Sequence, residues 1–111
     1  MSEDRLEAMR LELRRGSLAL IVLTALRHEH YGYSLRQKLQ ADGLAIEEGT
    51  LYPLVRRLES HGLLDSRWSD EQGRRRRYYR MSVDGQKVLN ALKHEWQTLN
   101  KVMHTVQESS S

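Results

Sequence analysis

The side chains best suited to chemistry with a charged partner are four consecutive arginines, Arg74 to Arg77, which follow an acidic turn. A guanidinium is always cationic, and its fixed fork of donors matches both phosphate and the major-groove edge of guanine. Residues 49–80 contain eight arginines against four acidic residues, so this segment has a net charge of +4 in a chain whose total is +3. This concentration of positive charge predicts a surface that binds nucleic acid.

Other kinds of chemistry find little support in the sequence. There is no cysteine, and the five histidines show no metal-ligand spacing. We expect His28 and His30 to cap the end of a core helix. A glycine-rich phosphate loop and a nucleophile elbow are both missing, so we expect no enzyme, no metal site and no cofactor. The charged N-terminus and the lack of an apolar run of about 20 residues favour a cytoplasmic protein.

A helix is predicted shortly before the four arginines. Four apolar residues follow the spacing i, i+3, i+4 and i+7 of a single helical face, namely Leu51, Leu54, Val55 and Leu58. We expect this helix over residues 50–61, with its cap at or just before Thr50. Pro53 would then lie in the first turn, where a missing amide donor does no harm.

The exposed side of this helix predicts contacts with DNA. In a major groove about 12 Å wide, Thr50, Tyr52 and Arg56 would face bases or phosphates. Arg57 could contact DNA as well, or it could pair with nearby acids. The alternative is a core helix whose arginines only solvate its surface, but the adjoining basic hairpin favours DNA.

A β-hairpin is predicted around Gly73, because apolar and polar residues alternate on both sides of it. Alternation sends its arginines to opposite faces, Arg74 with Arg76 and Arg75 with Arg77. We expect this wing, residues 70–78, to lie along the DNA backbone and to add salt-sensitive affinity. The alternative is an exposed ribbon neutralised by Asp70 and Glu71.

Three further helices are expected before the hairpin. One over residues 3–14 has a narrow apolar stripe, one over 17–28 is apolar nearly all round, and a short one spans 32–41. With the helix at 50–61 and the hairpin they make a mainly α chain of the winged helix-turn-helix class. We expect residues 1–82 to form the DNA-binding domain and 83–111 a dimerisation helix and tail.

The last helix, capped by Ser82, predicts a homodimer. Its apolar residues are spaced by three and four, a narrow seam that pairs helices. The expected interface joins this seam to the stripe of the first helix: Leu6, Met9, Leu13, Leu89, Leu92, Trp96, Leu99, Met103 and Val106. Packing within the chain is the alternative, but so short a chain gains stability by burying both stripes on a second copy. Trp96 would fill the interface or stack on a planar ligand.

Several motifs, in this order, resemble those of PadR-type transcriptional regulators. They are Tyr31-Gly32-Tyr33, Gly49-Thr50-Leu51-Tyr52-Pro53, Arg57-Leu58-Glu59, Gly62-Leu63-Leu64, Trp68, Arg75-Arg76-Arg77-Tyr78-Tyr79, and Ser82 with Gly85. The resemblance runs from about Leu18 to Trp96. It implies a bacterial dimeric repressor that binds an inverted repeat at a promoter and releases it when a ligand arrives. Tyr33 and Ser34 join the expected DNA contacts.

The single C-terminal helix is similar to that of the compact branch of these regulators. Some members of that branch bind flat hydrophobic drugs between the two subunits, and Trp96 falls where they have a drug-stacking tryptophan. The resemblance therefore implies a small aromatic effector. Ser34 stands where the family often has an acid, and Ser82 where threonine is usual, without disturbing the fold.

Two other classes of protein fit the sequence. A winged-helix protein-interaction module would use the same basic surface for an acidic protein partner and would bind no DNA. A dedicated small-molecule carrier would show tight quenching of its tryptophan fluorescence and would have no affinity for DNA. Salt dependence separates the first from a DNA-binding protein, because contacts with phosphate weaken steeply as salt rises.

Overall fold

The computed structural model describes residues 3–109. Its elements are α1 (Glu3–Ala25), β1 (His30–Tyr31), α2 (Gly32–Ala41), α3 (Glu48–Ser60), β2 (Leu64–Glu71), β3 (Arg74–Met81) and α4 (Val83–Ser109). The described strands form one antiparallel sheet in which β3 lies between β1 and β2. A mainly helical chain with a helix-turn-helix and a β-hairpin wing is thereby confirmed.

The two helices expected over residues 3–14 and 17–28 are a single helix, α1. Gly16, which was expected to precede the second helix, lies inside it. A glycine in a helix costs about 1 kcal/mol relative to alanine, which favourable residues on both sides can offset. The helix also ends earlier than expected, at Ala25. The prediction of two separate helices is wrong.

The hydrophobic core lies where the C-terminal half of α1, α2, α3 and the first turns of α4 meet. Its members are Val22, Leu23, Leu26, Leu35, Leu39, Leu51, Leu54, Val55, Leu58, Leu64 and Leu89. All four apolar residues predicted for one face of α3 are among them. Within residues 3–109, no helix has both the length and the apolar character needed to cross a bilayer.

Helix α3 begins earlier than predicted. Glu47 is its N-cap, so Thr50 is a helical residue and the predicted cap at or just before Thr50 is wrong. Pro53 consequently lies inside the helix, beyond its first turn, where its ring replaces the amide that would bond the carbonyl of Gly49. The helix ends as expected, since Gly62 has a left-handed φ of +77°.

The wing has longer strands and a tighter turn than predicted. Gln72 and Gly73 alone connect β2 to β3, with φ angles of +50° and +76° that match the right-handed twist of a hairpin. Strand β1, in which His30 and Tyr31 pair with β3, was not predicted. His30 therefore lies in a strand, and its predicted role as a helix cap is wrong. His28 follows α1 and bonds Ala25 O through its backbone amide.

The start of α4 is attached to the helix-turn-helix by close packing. The Oγ of Ser82 accepts a hydrogen bond from the amide of Gly85 at 3.0 Å, which confirms the predicted cap. The same hydroxyl donates to the carbonyl of Gly62 at 2.6 Å. A Cβ atom at Gly85 would overlap the backbone oxygen of Leu63, so only glycine fits there.

Candidate nucleic-acid interface

Arg36 holds the turn between α2 and α3. Its Nε donates to the carbonyl of Ile46 at 3.0 Å, and its Nη1 lies 3.3 Å from Oε1 of Glu48. Because Glu48 opens α3, this guanidinium fixes the start of that helix relative to α2. Arg36 was not a candidate in the sequence, since the contact depends on the path of the turn.

Tyr52 packs between the two helices of the helix-turn-helix. A Cβ atom at Gly32 would stand 2.9 Å from Cε1 of Tyr52, so the ring reaches the start of α2 only because a glycine is there. Burial raises the pKa of Tyr52, and the nearby Glu48 raises it further. Tyr52 thus sets the spacing of α2 and α3 and leaves only part of its ring exposed.

The two candidate contacts at the start of α2 differ in accessibility. Tyr33 is exposed, and its hydroxyl oxygen accepts a hydrogen bond from Nε2 of Gln37 at 3.0 Å. The hydroxyl of Ser34 donates to the carbonyl of Tyr31 and lies 3.0 Å from Nδ1 of His30. The pKa of His30 is lowered, chiefly by burial. Tyr33 is therefore accessible to a partner, whereas the hydroxyl of Ser34 is already engaged.

The outer side of α3 presents cations that have no acidic partner. Thr50, Arg56 and Arg57 are all exposed. Among residues 3–109, no carboxylate lies within ion-pair distance of Arg56 or Arg57. Pairing of Arg57 with a nearby acid, the alternative left open by the sequence, is therefore not seen in the part of the chain that the structure describes.

The arginines of β3 alternate between the two faces of the hairpin, as predicted. On one face, the guanidinium of Arg75 lies 4.7 Å from the centre of the Trp68 ring and that of Arg77 lies 5.5 Å from it. On the other, the guanidinium of Arg76 lies 4.4 Å from the centre of the Tyr31 ring. Such cation–π contacts hold the side chains while leaving their charge in place.

The acids of the hairpin neutralise little of this charge. Arg76 has Glu71 as a distant partner, with Nη1 3.9 Å from Oε2. Glu71 also accepts a 2.8 Å hydrogen bond from the hydroxyl of Tyr78, and this bond raises the pKa of Tyr78. Arg74 is exposed and has no ion pair within residues 3–109.

Arg77 differs from its neighbours because it forms a short ion pair. Its Nη2 lies 2.8 Å from Oε2 of Glu59, near the end of α3. Its Nε and Nη2 also donate to the hydroxyl of Ser66 on β2, at 3.2 and 3.0 Å. This contact joins the wing to α3, and the sequence alone did not reveal it.

A second ion pair attaches the wing to the segment before β1. Arg67 donates to both carboxylate oxygens of Glu29, at 2.9 and 2.6 Å, in a forked contact. The hydrogen bond from Arg67 lowers the pKa of Glu29, and Arg80 adds to that effect. Neither residue was a candidate in the sequence, because 38 positions separate them.

The helix and the wing meet at one surface. A cleft of about 280 Å³ between α2, α3 and β3 is lined by Arg56, Arg76 and Arg77 together with tyrosine rings, Tyr31, Tyr52 and Tyr79 among them. Arginine and aromatic side chains in one concave surface, beside the exposed cations of α3, suit a polyanion with flat bases. No group of histidines and acids within residues 3–109 could hold a metal ion.

The match to a family agrees with this geometry. The Transcriptional regulator PadR-like family matches residues 20–91, which include the helix-turn-helix, the wing and the start of α4. The chain belongs to the PadR-like family of transcriptional regulators. The resemblance seen in the sequence is thereby confirmed.

Solved and curated relatives of this PadR-like regulator agree with that assignment. A PadR family transcriptional regulator from Eggerthella lenta is 43% identical, with a TM-score of 0.88 over 96% of this chain and 95% of its own. A PadR family regulator from Clostridium difficile is 35% identical, with a TM-score of 0.68 over 78% and 93%. Transcriptional regulator Rv3488 of Mycobacterium tuberculosis is 39% identical over 79 residues, 70% of this chain and 74% of its own.

The outer helices of the PadR-like regulator leave most of the predicted dimer residues uncovered. Trp96, Leu99 and Met103 are 54%, 58% and 66% exposed, and Val106 is exposed as well. Leu6, Met9 and Leu13 of α1 and Leu92 of α4 are also exposed to solvent. Leu89 is instead fully buried in the core of its own chain and serves intramolecular packing.

Trp96 lies between two grooves on the same side of the molecule. One, of about 850 Å³, runs between α1, α2 and α4 and includes Ile21, His28 and Lys93. The other, of about 560 Å³, lies between α1 and α4 and includes Leu13 and Leu99. The indole is thus accessible to a second chain or to a small molecule.

Proposed function

We propose that this PadR-like regulator is a homodimeric repressor that binds an inverted-repeat operator. Helix α3 enters the major groove of each half-site, and the wing lies on the flanking backbone. The observation that supports this most directly is the pattern of arginine pairing. Arg56 and Arg57 on α3 and Arg74 at the wing tip have no acidic partner within residues 3–109.

Four other arginines of the segment have contacts of their own. Arg67 and Arg77 form short ion pairs within the chain. Arg75 and Arg76 stack on aromatic rings, where they are held in place but stay cationic. A surface that leaves exposed arginines without acidic partners on the outer helix and at the wing tip is suited to contacts with phosphates and base edges.

Dimerisation would place two such surfaces on one duplex. The exposed apolar residues of α4 form a stripe along a 27-residue helix, which is about 40 Å long at 1.5 Å per residue. A stripe of this kind on a monomer is unusual, and burying it on a second copy produces two-fold symmetry. Two-fold symmetry matches an inverted repeat whose half-sites lie about 34 Å apart.

We propose further that a flat aromatic effector binds beside Trp96 and releases the DNA. A ligand shifts a protein between two states only if it binds one of them better. Because Trp96 lies within the predicted dimer seam, a planar molecule stacked on it would favour one spacing of the two subunits. A changed spacing would fit both half-sites less well and weaken binding to the operator.

Mobility shift with the DNA upstream of the protein's own gene tests the DNA-binding part. We expect preference over shuffled DNA of the same length by about 10³-fold or more, and a linear fall of log affinity with log salt. In Arg74→Gln the slope should become shallower by about 0.9 for each protomer. Lys101→Gln, which removes one charge near the far end of α4, is the matched control.

Two outcomes would contradict the DNA-binding part. Equal affinity for the native and shuffled fragments would exclude operator recognition. Affinity that does not change with salt would favour the winged-helix protein-interaction module instead. Light scattering at the concentrations of the assay tests the dimer, and a monomer there would exclude symmetric binding to two half-sites.

Quenching of tryptophan fluorescence tests the effector. With Trp68→Phe as the background, only Trp96 reports, and a planar aromatic dye is the probe. We expect saturable quenching, together with weaker binding to the upstream fragment when the dye is present. In a Trp96→Leu variant of the otherwise unaltered chain, the dye should no longer weaken binding to that fragment. Quenching without any effect on DNA affinity would leave a small-molecule site but would exclude its role in regulation.

A further inference from the structure

Three polar side chains from three different elements meet between α3 and the wing. They are Glu59 on α3, Ser66 on β2 and Arg77 on β3. Nη2 of Arg77 lies 2.8 Å from Oε2 of Glu59, and its Nε and Nη2 donate to Oγ of Ser66 at 3.2 and 3.0 Å. The hydroxyl of Ser66 in turn donates to the same oxygen of Glu59, which closes the cluster.

These contacts use much of the bonding capacity of Arg77. Its side chain is 39% exposed, and that of Glu59 is 23% exposed. A half-buried carboxylate at hydrogen-bond distance competes directly with any phosphate that approaches this guanidinium. Arg74, three residues earlier on the same strand, has no such competitor within residues 3–109.

The cluster also lies where it controls the direction of the wing. Glu59 precedes the last residue of α3, while Ser66 and Arg77 lie part-way along their strands. Beyond this point the hairpin continues with Trp68, Arg75 and Arg74. A two-stranded hairpin is only marginally stable by itself, so its orientation depends on contacts with the body of the domain.

We propose that Glu59, Ser66 and Arg77 form a latch that fixes the wing relative to α3, and that Arg77 is a positioning residue and not a DNA contact. This inference rests on the proposed DNA-binding function, and it changes the role predicted for Arg77 from the sequence. The latch keeps the wing in the orientation in which Arg74 and Arg75 reach the backbone beside the groove that α3 occupies. An unlatched wing must be ordered each time DNA binds, and that ordering lowers affinity.

Glu59→Gln distinguishes a positioning role of Arg77 from a contact with phosphate, because the two roles predict different changes in affinity for DNA. If Arg77 is a positioning residue, we expect binding to the upstream fragment to weaken by about three- to tenfold, because the wing loses its anchor. The salt slope should not become shallower, because no phosphate contact is lost. If Arg77 contacts phosphate, removing its carboxylate competitor should leave affinity unchanged or increase it.

Asp65→Asn is the matched control for the change in charge. Asp65 lies on β2 next to Ser66, is exposed, and has no ion pair within residues 3–109. The two variants therefore alter the net charge equally, and only Glu59→Gln opens the latch. If both variants bind DNA with the same affinity, the latch is excluded.

Arg77→Gln and the double variant complete the test. The latch predicts that Arg77→Gln loses as much affinity as Glu59→Gln with an unchanged salt slope, and that the double variant loses no more than either. A slope shallower by about 0.9 per protomer in Arg77→Gln, as expected for Arg74→Gln, would overturn the positioning role. Thermal unfolding verifies that each variant is folded. If Glu59→Gln does not fold, Ser66→Ala takes its place, and we expect a smaller loss of affinity for DNA.

Different results would contradict the latch and the proposed function. If the wild-type protein does not bind the upstream fragment in preference to shuffled DNA, the proposed function fails first. If it does bind, but Glu59→Gln behaves as Asp65→Asn, only the latch fails.

Discussion

Two regions of this molecule differ in how much of their apolar surface a single chain buries. In the body, which comprises the end of α1, α2, α3, the sheet and the first turns of α4, the apolar side chains are buried and ion pairs connect the elements. In the arms, which are the N-terminal half of α1 and the C-terminal half of α4, apolar side chains face solvent. The body therefore accounts for the fold, and the arms are where we propose that a second copy binds.

The body and the arms also differ in the pairing of their charged side chains. On one side of the body, Arg56 and Arg57 are exposed and have no acid within ion-pair distance among residues 3–109. Along α1, Arg10 pairs with Glu7 and Arg15 with Glu12, both at 3.8 Å. Nucleic acid suits the first pattern, while an apolar partner suits the second. Substitutions should consequently affect folding in the body and association in the arms.

The largest effect is expected for Gly85→Ala in the body. The added Cβ would overlap the backbone oxygen of Leu63 and crowd the side chain of Met81. The same oxygen accepts the amide of Ser82 at 3.0 Å, so relieving the overlap breaks a hydrogen bond. We expect a loss of about 3 kcal/mol or more in the free energy of unfolding, measured by denaturant titration. A loss below about 1 kcal/mol would mean that α4 is not closely packed on the body.

Leu99→Glu in α4 should weaken association without unfolding the body. The side chain is 58% exposed in one chain, so the folded subunit loses little, but a charge in an apolar seam opposes pairing. We expect the dimer to dissociate about 100-fold more readily, measured by sedimentation at a series of concentrations. Affinity for an inverted repeat should fall with it.

Thr105→Glu is the control for the charge added by Leu99→Glu. It introduces the same charge on the opposite side of α4, and we expect the dimer to be unchanged. Equal weakening by the two variants would mean that the exposed seam is not the interface. The exposed apolar residues of the arms would then not mark a surface for assembly.

Sequence patterns predicted best the features that depend on neighbouring residues. The apolar face of α3, the position of the hairpin, and the Ser82 cap of α4 are local patterns, and all are present. The continuity of α1 through Gly16 was missed, because a glycine limits a helix only when its neighbours do not sustain it. The two-residue strand β1 was missed as well, because its pairing with β3 is tertiary.

The candidate site was predictable in composition but not in its internal contacts. The sequence identified the arginines of α3 and the wing, and the structure brings Arg56, Arg76 and Arg77 to one cleft. It did not distinguish Arg74, which has no acidic partner among the described residues, from Arg77, which is bound to Glu59. Nor did it identify Arg36, whose partners lie across a turn. Such contacts depend on distances that only the folded chain defines.

Gly16→Ala near the middle of α1 should have a modest effect of opposite sign to Gly85→Ala. Apart from the adjacent residues and the helix's own backbone, no atom of residues 3–109 lies within 4 Å of where its Cβ would stand, and the residue is inside α1. Alanine favours a helix over glycine, so we expect stability to rise by about 0.5–1 kcal/mol and the melting temperature by a few degrees. A fall in stability that depends on protein concentration would instead place the partner subunit against Gly16.

The smallest effect concerns the exposed pair of Glu29 and Arg67. Arg67 lowers the pKa of Glu29 below its usual 4.5, so the folded chain holds this carboxylate ionised more strongly than the unfolded chain does. The pair stabilises the fold above that usual value, and the contribution is lost as pH falls through the lowered pKa of the folded state. In Arg67→Gln, the melting temperature should be slightly lower near neutral pH and should converge with the wild type in acid.

Arg10→Gln, which breaks the 3.8 Å pair in an arm, should show no such convergence, because little stability is lost there at any pH. If both variants follow the same pH profile, the ion pairs of body and arm do not differ in strength.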